Sequence, residues 1–150
     1  MEWKSKVYYN NGKLKFEGEY LNGKRKGKEY NGNGKLKFEG EYLNDEKIGK
    51  GKEYNNNGKL IFEGEYLYDF KLKGKEYVNE KLEYEGEYLY NTKWNGKGYH
   101  GQYNIIYELI KGTGKIKEYN DNGELEFEDE YLNGERNNQF NKVLSKYINF

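Results

Sequence analysis

One hexapeptide decides the fold of this chain, and it reads Phe16-Glu17-Gly18-Glu19-Tyr20-Leu21. The phrase recurs five times, the last two copies degenerate, from Phe38, Phe62, Tyr84, Tyr107 and Phe127. The first four starts are 22, 24 and 22 residues apart. Self-similarity at a period of roughly 20 to 50 residues is the signature of a repeat protein, so the sequence predicts an array of similar units.

Each copy reads as a β-strand with two different faces. Leu14, Phe16, Gly18 and Tyr20 alternate with lysine and glutamate, which is the period-2 pattern of a strand. Asn-Gly pairs stand between the phrases, at residues 11–12, 22–23, 33–34, 57–58, 122–123 and 133–134. Because Asn-Gly supplies the positive φ angles of type I′ turns, these pairs predict tight hairpins. We therefore expect an all-β fold, an elongated single-layer antiparallel meander of about six hairpins.

A longer pattern resembles a known repeat family. The spacing aromatic-x-Gly-x-aromatic-x-x-Gly-x-x-x-Gly, carried by Phe16, Gly18, Tyr20, Gly23 and Gly27, is similar to the MORN repeat (membrane occupation and recognition nexus). Residues 8–14, Tyr-Tyr-Asn-Asn-Gly-Lys-Leu, are also similar to a bacterial antitoxin-like group with related repeats. The resemblance covers nearly the whole chain and implies one elongated, twisted antiparallel sheet.

The repeats divide the chain into an array and a terminal segment. The array is predicted over residues 1–136, with units starting near residues 14, 36, 60, 82, 105 and 125. Residues 137–150 are predicted to form a short capping helix, since Val143, Leu144, Tyr147 and Ile148 share one helical face. The period is irregular at Asp45 and Asp69, which replace an expected loop glycine, and at residues 99–106.

Composition restricts the classes of function. The formal net charge is +0, so the sequence has no strongly basic character to favour nucleic acid as a partner. Cysteine and proline are absent, aromatic residues make up 18%, and no apolar run approaches the roughly 20 residues of a membrane-spanning helix. We expect a cytoplasmic protein, with peripheral attachment to a membrane as the alternative.

The aromatic positions of the strands are the first candidate site. Glycine weakens a strand, so its recurrence between two aromatic residues predicts that a neighbouring ring, such as Tyr30, Tyr54 or Tyr77, crosses the bare backbone. The same face could equally hold a peptide or a partner helix. The candidate partner-binding residues are Phe16, Tyr20, Phe38, Tyr42, Phe62, Tyr66, Tyr84 and Tyr88.

No catalytic, cofactor-binding or metal-binding residue is predicted. Paired glutamates such as Glu17 and Glu19 repeat in every unit without a nearby histidine, which indicates a solvated face balanced by lysine. His100 is the single histidine, and Gly96-Lys97-Gly98 lacks the remainder of a phosphate-binding loop. Trp94 is expected to anchor an irregular loop. We therefore expect neither an enzyme nor a small-molecule substrate.

The densest basic cluster gives the second candidate site. Lys24, Arg25, Lys26 and Lys28 are predicted to form a basic hairpin loop that could meet anionic lipid head groups. The favoured function is nevertheless a scaffold that binds another protein or, as a homodimer, a second copy of itself, through the aromatic face or an open sheet edge. Membrane attachment and an antitoxin-like role beside a toxin remain as alternatives.

Overall fold

In the computed structural model, residues 3–101, 104–120 and 122–136 are described, and they form antiparallel strands joined by turns. Ten strands follow one another in sequence order through the first sheet. They are β1 (Trp3–Tyr8), β2 (Leu14–Leu21), β3 (Lys24–Tyr30), β4 (Leu36–Leu43), β5 (Glu46–Tyr54), β6 (Leu60–Leu67), β7 (Phe70–Val78), β8 (Lys81–Leu89), β9 (Thr92–His100) and β10 (Asn104–Leu109). The prediction of an all-β antiparallel meander is confirmed. The helix predicted over residues 137–150 lies outside the described residues.

The meander is divided after β10, so the prediction of one continuous sheet is wrong. A second, three-stranded sheet follows, with β11 (Gly114–Tyr119), β12 (Leu125–Leu132) and β13 (Glu135–Arg136). In the first sheet glycine stands opposite glycine across most strand pairs. Strands β10 and β11 carry Leu109 and Ile116 in that row, both buried. We attribute the division to these side chains, which remove the close glycine contact.

The Asn-Gly pairs of the meander lie in two kinds of turn. Two-residue turns such as Asn22-Gly23 and Asn133-Gly134 have positive φ at both positions, as a type I′ hairpin requires. The other four Asn-Gly pairs lie in five-residue connections, where the glycine of the pair has positive φ and its asparagine does not. In three of these the asparagine at the start accepts backbone bonds, as Asn31 Oδ1 does from Lys35 N at 3.1 Å. The type I′ prediction is therefore wrong for those four pairs.

Alternation along the strands places one row of tyrosines on the face opposite the aromatic core. Tyr30 follows Lys26 and Lys28 on one face of β3, and its hydroxyl donates to Glu17 Oε1 at 2.8 Å, on the face opposite Phe16. A β-bulge accompanies the connection that follows: the pairing shifts between Glu29 and Tyr30, and the same shift recurs at Tyr54 and Tyr119. The extra residue of each bulge lies in the next strand, so these tyrosines keep the face that alternation gives them.

Candidate functional site

The aromatic face forms the core of the first sheet. Phe38, Phe62 and Tyr84 are 0% exposed, and Tyr42 and Tyr66 are at most 4% exposed. Each ring meets the next edge to face, with centroid distances of 5.2 to 5.6 Å between Phe38, Tyr42, Phe62 and Tyr66. Such contacts stabilise aromatic pairs by about 0.5–1.5 kcal/mol beyond the burial of area. A single row of rings, linked from unit to unit, therefore takes the place of a thick core.

A cation covers the rings of each successive unit. The Arg25 guanidinium lies 4.8 Å from the Phe16 ring centroid and 4.1 Å from that of Tyr42. Lys47 takes the same position over Phe38 and Tyr66, and Lys71 over Phe62 and Tyr88. Their aliphatic stems exclude water while their charges meet the ring faces. This layer explains how a sheet without a second layer buries its aromatic face.

Carboxylates complete this covering layer by accepting bonds from the buried hydroxyls. Tyr66 Oη donates to Glu53 Oε1 at 2.7 Å, and Lys47 Nζ lies 3.2 Å from the same oxygen. Burial opposes ionisation of Glu53, but Tyr66 and the nearby ammonium groups outweigh it and hold its pKa below the ordinary value. Burial and the bond to Glu53 also raise the pKa of Tyr66. The polar groups of this unit are thus mutually satisfied.

The first ring of each hexapeptide covers both the glycine of its own strand and the glycine opposite it in the next strand. A Cβ placed on Gly64 or Gly74 would meet Phe62 Cζ at 2.7 or 2.6 Å. Phe38 covers Gly40 and Gly51 in the same way, and Tyr84 covers Gly86 and Gly96. The prediction that Tyr30, Tyr54 or Tyr77 crosses the glycines is wrong, because strand alternation places those tyrosines on the opposite face, where Tyr30 bonds to Glu17 and Tyr77 to Glu63.

The predicted partner-binding rings therefore lie inside the protein. Phe16, Phe38, Tyr42, Phe62, Tyr66, Tyr84 and Tyr88 are at most 7% exposed, and Tyr20 is half-buried. A partner could reach them only by displacing the covering cations and carboxylates. In this structure the aromatic face is not an available surface, and a site must be sought on the opposite face.

The opposite face carries two ladders of alternating charge. Across the ten strands the first ladder pairs Lys6, Glu17, Lys28, Glu39, Lys52, Glu63, Lys75, Glu85, Lys97 and Glu108. The second holds Lys4, Glu19, Lys26 and Glu41 and, beyond a bulge in β5, Lys50, Glu65, Lys73 and Glu87. Opposite charges directly across strands stabilise a sheet modestly. The expectation that lysine balances the glutamates is confirmed.

A groove with a glycine floor runs between the ladders. Its larger part has a volume of about 810 Å³, and five lysines and five glutamates line it: Lys26, Lys50, Lys52, Lys73, Lys75, Glu39, Glu63, Glu65, Glu85 and Glu87. The floor of this part is Gly40, Gly51, Gly64, Gly74 and Gly86. A second part of about 610 Å³ continues toward β1 and shares Lys26, Glu39 and Gly40 with the first. On one face of the sheet the glycines leave room for the aromatic rings, and on the other face they leave the backbone uncovered.

Apolar residues, most of them exposed, border this charged face at the two-residue turns. Strand alternation places Leu21, Leu43, Leu67 and Leu89 on the same face as the glutamates. Around β6 to β8 they are joined by Phe70, 44% exposed, and by Tyr90, 76% exposed, whose rings are 5.7 Å apart. We call Leu67, Phe70, Leu72, Leu89 and Tyr90 the apolar edge. Its signal in the sequence was the repeated leucine that ends each hexapeptide.

Two tyrosines at this edge adopt an unfavourable backbone conformation. Tyr68 and Tyr90 have φ angles of 47° and 48°, at the turn position that Asn22, Asn44 and Asn133 occupy in other units. Asparagine tolerates this region, whereas a bulky residue there is an outlier. Backbone strain of this kind is concentrated at functional sites. The apolar edge therefore belongs with the groove as a candidate contact surface.

The predicted basic loop is a strand, so its assignment as a loop is wrong. Lys24, Arg25, Lys26 and Lys28 lie in β3, and alternation sends them to both faces. Arg25 covers the core and lies 3.7 Å from Asp45, while Lys26 and Lys28 stand between glutamates in the ladders. Three of the four basic side chains, those of Arg25, Lys26 and Lys28, therefore have acidic neighbours, and the four are divided between the two faces instead of forming one loop.

The irregular region around β9 joins the two sheets. Gly112 N donates to the Trp94 carbonyl at 2.7 Å, which ties the turn between β10 and β11 to β9. His100 stacks on Tyr119 with centroids 4.7 Å apart. Among residues 3–101, 104–120 and 122–136, no cluster of acidic, histidine or cysteine side chains could hold a metal ion. Within those ranges there is also no helix long and apolar enough to cross a membrane.

Comparison with known families gives one match. The family model of the MORN repeat variant matches residues 4–22, 26–44, 47–68 and 113–133, together just over half of the chain. No curated protein and no solved structure matches. MORN repeats form a non-catalytic repeat family that is generally associated with protein or membrane interaction. The four matched segments, each centred on a hairpin of the meander, show that this chain belongs to the MORN repeat variant family.

Proposed function

We propose that this chain is a non-catalytic interaction module that holds a segment of another protein in the glycine-floored groove. The groove itself is the observation that carries the proposal. It follows the unit repeat over several strands, and bare backbone lies at its floor because the rings occupy the other face. Long concave surfaces of this kind are how repeat proteins bind extended partners.

The charges of the groove favour a partner of mixed charge. The larger part is lined by equal numbers of lysines and glutamates, so it offers no net field to an anionic membrane. A polypeptide that presents both signs can instead pair with alternate rungs of each ladder. The apolar edge beside the groove supplies the desolvated contacts that usually dominate protein affinity. We therefore favour protein binding over lipid attachment.

The test begins with a peptide selected from a random library of displayed 12-residue sequences. The isolated binder is titrated into isotopically labelled protein, and the amide signals of the floor glycines Gly51, Gly64 and Gly74 are followed by NMR. Those signals should shift, whereas the turn glycines Gly12 and Gly58, which lie away from the groove, should not. Shifts confined to the turn glycines would refute the groove.

A pair of charge-matched variants sharpens the result. Glu63→Lys with Glu85→Lys changes the groove wall, and Glu80→Lys with Glu124→Lys makes the same charge change in exposed turns. The groove variant should weaken binding by about 10-fold, or about 1.4 kcal/mol, and the turn variant should not. Equal weakening in both, or binding only to phosphatidylserine vesicles, would contradict the proposal.

A further inference from the structure

We infer that the groove binds a polyproline II segment with an acidic residue at every third position. This inference rests on the function proposed above, and it names the conformation and the charge pattern of the bound segment. Three features of the groove carry it, namely its width, the period of its charges and a row of tyrosines beside it.

The groove is too narrow to hold an α-helix on its floor. The two ladders form its walls, and on each strand they are two residues apart, as Lys50 and Lys52 are on either side of Gly51. Two residues of a strand span about 6.4–6.8 Å. An α-helix with its side chains is about 10–12 Å across, whereas a single chain in an extended conformation is narrower. The bound segment is therefore extended, and it runs across the strands.

The charges of the groove repeat at every second strand. On any one strand both walls carry the same sign, which is lysine on β3, β5 and β7 and glutamate on β4, β6 and β8. Neighbouring strands are about 4.7–4.9 Å apart, so successive lysine strands are about 9.4–9.8 Å apart. Each lysine strand thus offers two ammonium groups, one from either wall, to a carboxylate that lies over its glycine.

Among extended conformations, polyproline II matches this period. It has three residues per turn and a rise of about 3.1 Å, so every third side chain points to the same side at intervals of about 9.3 Å. Side chains on one face of a β-strand recur at about 6.4–6.8 Å instead and do not coincide with successive lysine strands. Over β3, β5 and β7 a polyproline II segment stays aligned to within about 1 Å.

The lysines of the walls are more accessible than the glutamates. On β3, β5 and β7, five of the six wall lysines are exposed: Lys26, Lys28, Lys50, Lys52 and Lys73. On β4 and β6 all four wall glutamates are half-buried. One of them, Glu63, also accepts a bond from the Tyr77 hydroxyl at 2.6 Å. The aligned residues of the bound segment are therefore acidic, since the exposed ammonium groups are the available partners.

A row of tyrosines beside the groove has the same period. Tyr30, Tyr54 and Tyr77 lie on β3, β5 and β7, each two residues beyond the first-ladder lysine of its strand and on the same face. All three are half-buried, so part of each ring is accessible beside the groove. Grooves lined by aromatic residues recognise proline-rich segments in the polyproline II conformation. A proline in each triplet of the bound segment would therefore meet one ring per turn.

The test compares two synthetic 12-residue peptides on the wild-type protein at low salt. One is four repeats of Glu-Pro-Lys, in which the lysine of each repeat lies within about 2 Å, along the groove, of a glutamate strand. The other, two repeats of Glu-Pro-Glu-Lys-Pro-Lys, keeps the composition and the proline positions but spaces its glutamates two and four residues apart in turn. Binding is followed by the NMR signals of the floor glycines Gly51, Gly64 and Gly74.

The regular peptide should shift these signals and bind about 10-fold more tightly, because only its carboxylates coincide with successive lysine strands. Raising the salt concentration should remove most of the difference, since the contacts are between exposed charges. Equal affinities of the two peptides, or binding of neither, would overturn the inference.

A pair of variants tests the contribution of the lysines. Lys50→Gln with Lys52→Gln removes both ammonium groups of one strand, and Lys35→Gln with Lys59→Gln makes the same change in exposed connections outside the groove. Circular dichroism checks that each variant still folds. The groove variant should bind the regular peptide about 5-fold more weakly than wild type, and the other variant should bind it as wild type does. An equal loss in both variants would also contradict the inference.

The binder selected from the random library separates this inference from the function on which it rests. That binder reports on the groove whatever conformation it adopts. If it shifts the floor glycines and the Glu-Pro-Lys peptide does not, the polyproline II inference is wrong and the groove remains the binding site. If neither shifts them, both proposals are wrong.

Discussion

Replacing Gly64 by alanine tests whether the glycine row exists to let strands and rings approach closely. Gly64 lies opposite Gly74 and has an ordinary extended backbone, so its φ angle poses no obstacle to alanine. The obstacle is the lack of space. The new Cβ would lie 2.7 Å from Gly74 Cα and 2.7 Å from Phe62 Cζ, and closer still to the Lys73 carbonyl oxygen. The Phe62 ring and the β7 backbone would both have to move.

The two opposing contributions to the free energy of unfolding predict that Gly64→Ala destabilises the protein. Alanine is better than glycine within a strand by about 0.5–1 kcal/mol. Overpacking of a core costs about 1–3 kcal/mol, and here part of the clash is with backbone that cannot rotate away. We expect Gly64→Ala to lower the free energy of unfolding by about 2 kcal/mol, equivalent to about 4–8 °C in Tm for a chain of this length.

The assay is urea and thermal unfolding followed by circular dichroism, with Gly32→Ala as the matched control. Gly32 lies in a turn and has no positive φ angle, and a Cβ added there would meet nothing within 4 Å. The control should be neutral or stabilised by up to about 1 kcal/mol, because alanine restricts the unfolded chain. If Gly64→Ala matches wild type, or if both variants lose stability equally, the close-approach explanation is wrong.

Three further predictions concern the covering layer and the turns. Glu53→Gln should lower the free energy of unfolding at pH 7 by about 1–2 kcal/mol. Because the pKa of Glu53 is depressed in the folded state, the difference between wild type and variant should disappear as the pH falls from the ordinary carboxyl pKa through the folded pKa. A difference that stays constant in acid denaturation titrations would contradict this prediction. Burial and a bond to a glutamate raise the pKa of core tyrosines such as Tyr66, so stability should be intact below pH 10 and fall above it by about 1.4 kcal/mol per pH unit for each such tyrosine; tyrosinate absorbance should then appear together with loss of the β signal, not before it. Tyr68→Asn should raise stability by about 0.5–1 kcal/mol by relieving the positive φ, and Asn44→Tyr should lower it similarly; equal denaturation midpoints for both variants would argue against stored strain.

The strand pattern was readable from sequence because it depends on nearest neighbours. The alternation of residues around Gly18 predicted which side chains share a face of the sheet. The pairing of lysine with glutamate across strands followed from the repeated sequences. The turns were only half readable, since the same Asn-Gly pair serves a two-residue turn at Asn22 and a five-residue connection at Asn33. The number of residues between strands, rather than the dipeptide, decides which turn forms.

The accessible face could not be read from sequence because lysine and arginine are usually taken as surface residues. Arg25 and Lys47 instead lie over the rings and convert an apparently open aromatic face into a core. We attributed the division after β10 to Leu109 and Ile116, which stand in the glycine row, and the strand pattern alone does not indicate that a side chain there would end the sheet.

Lysine-bearing and glutamate-bearing strands alternate along the array, so every second strand carries the same charge on the charged face. Removing residues 36–59 would take out β4 and β5 together and bring β3 beside β6, so that lysine again faces glutamate. Removing one strand alone would set like charges side by side and reverse the direction of every strand that follows. The length of this protein can therefore change by whole pairs of strands without a new sequence at the junction, which is how a duplicated unit could be inherited intact.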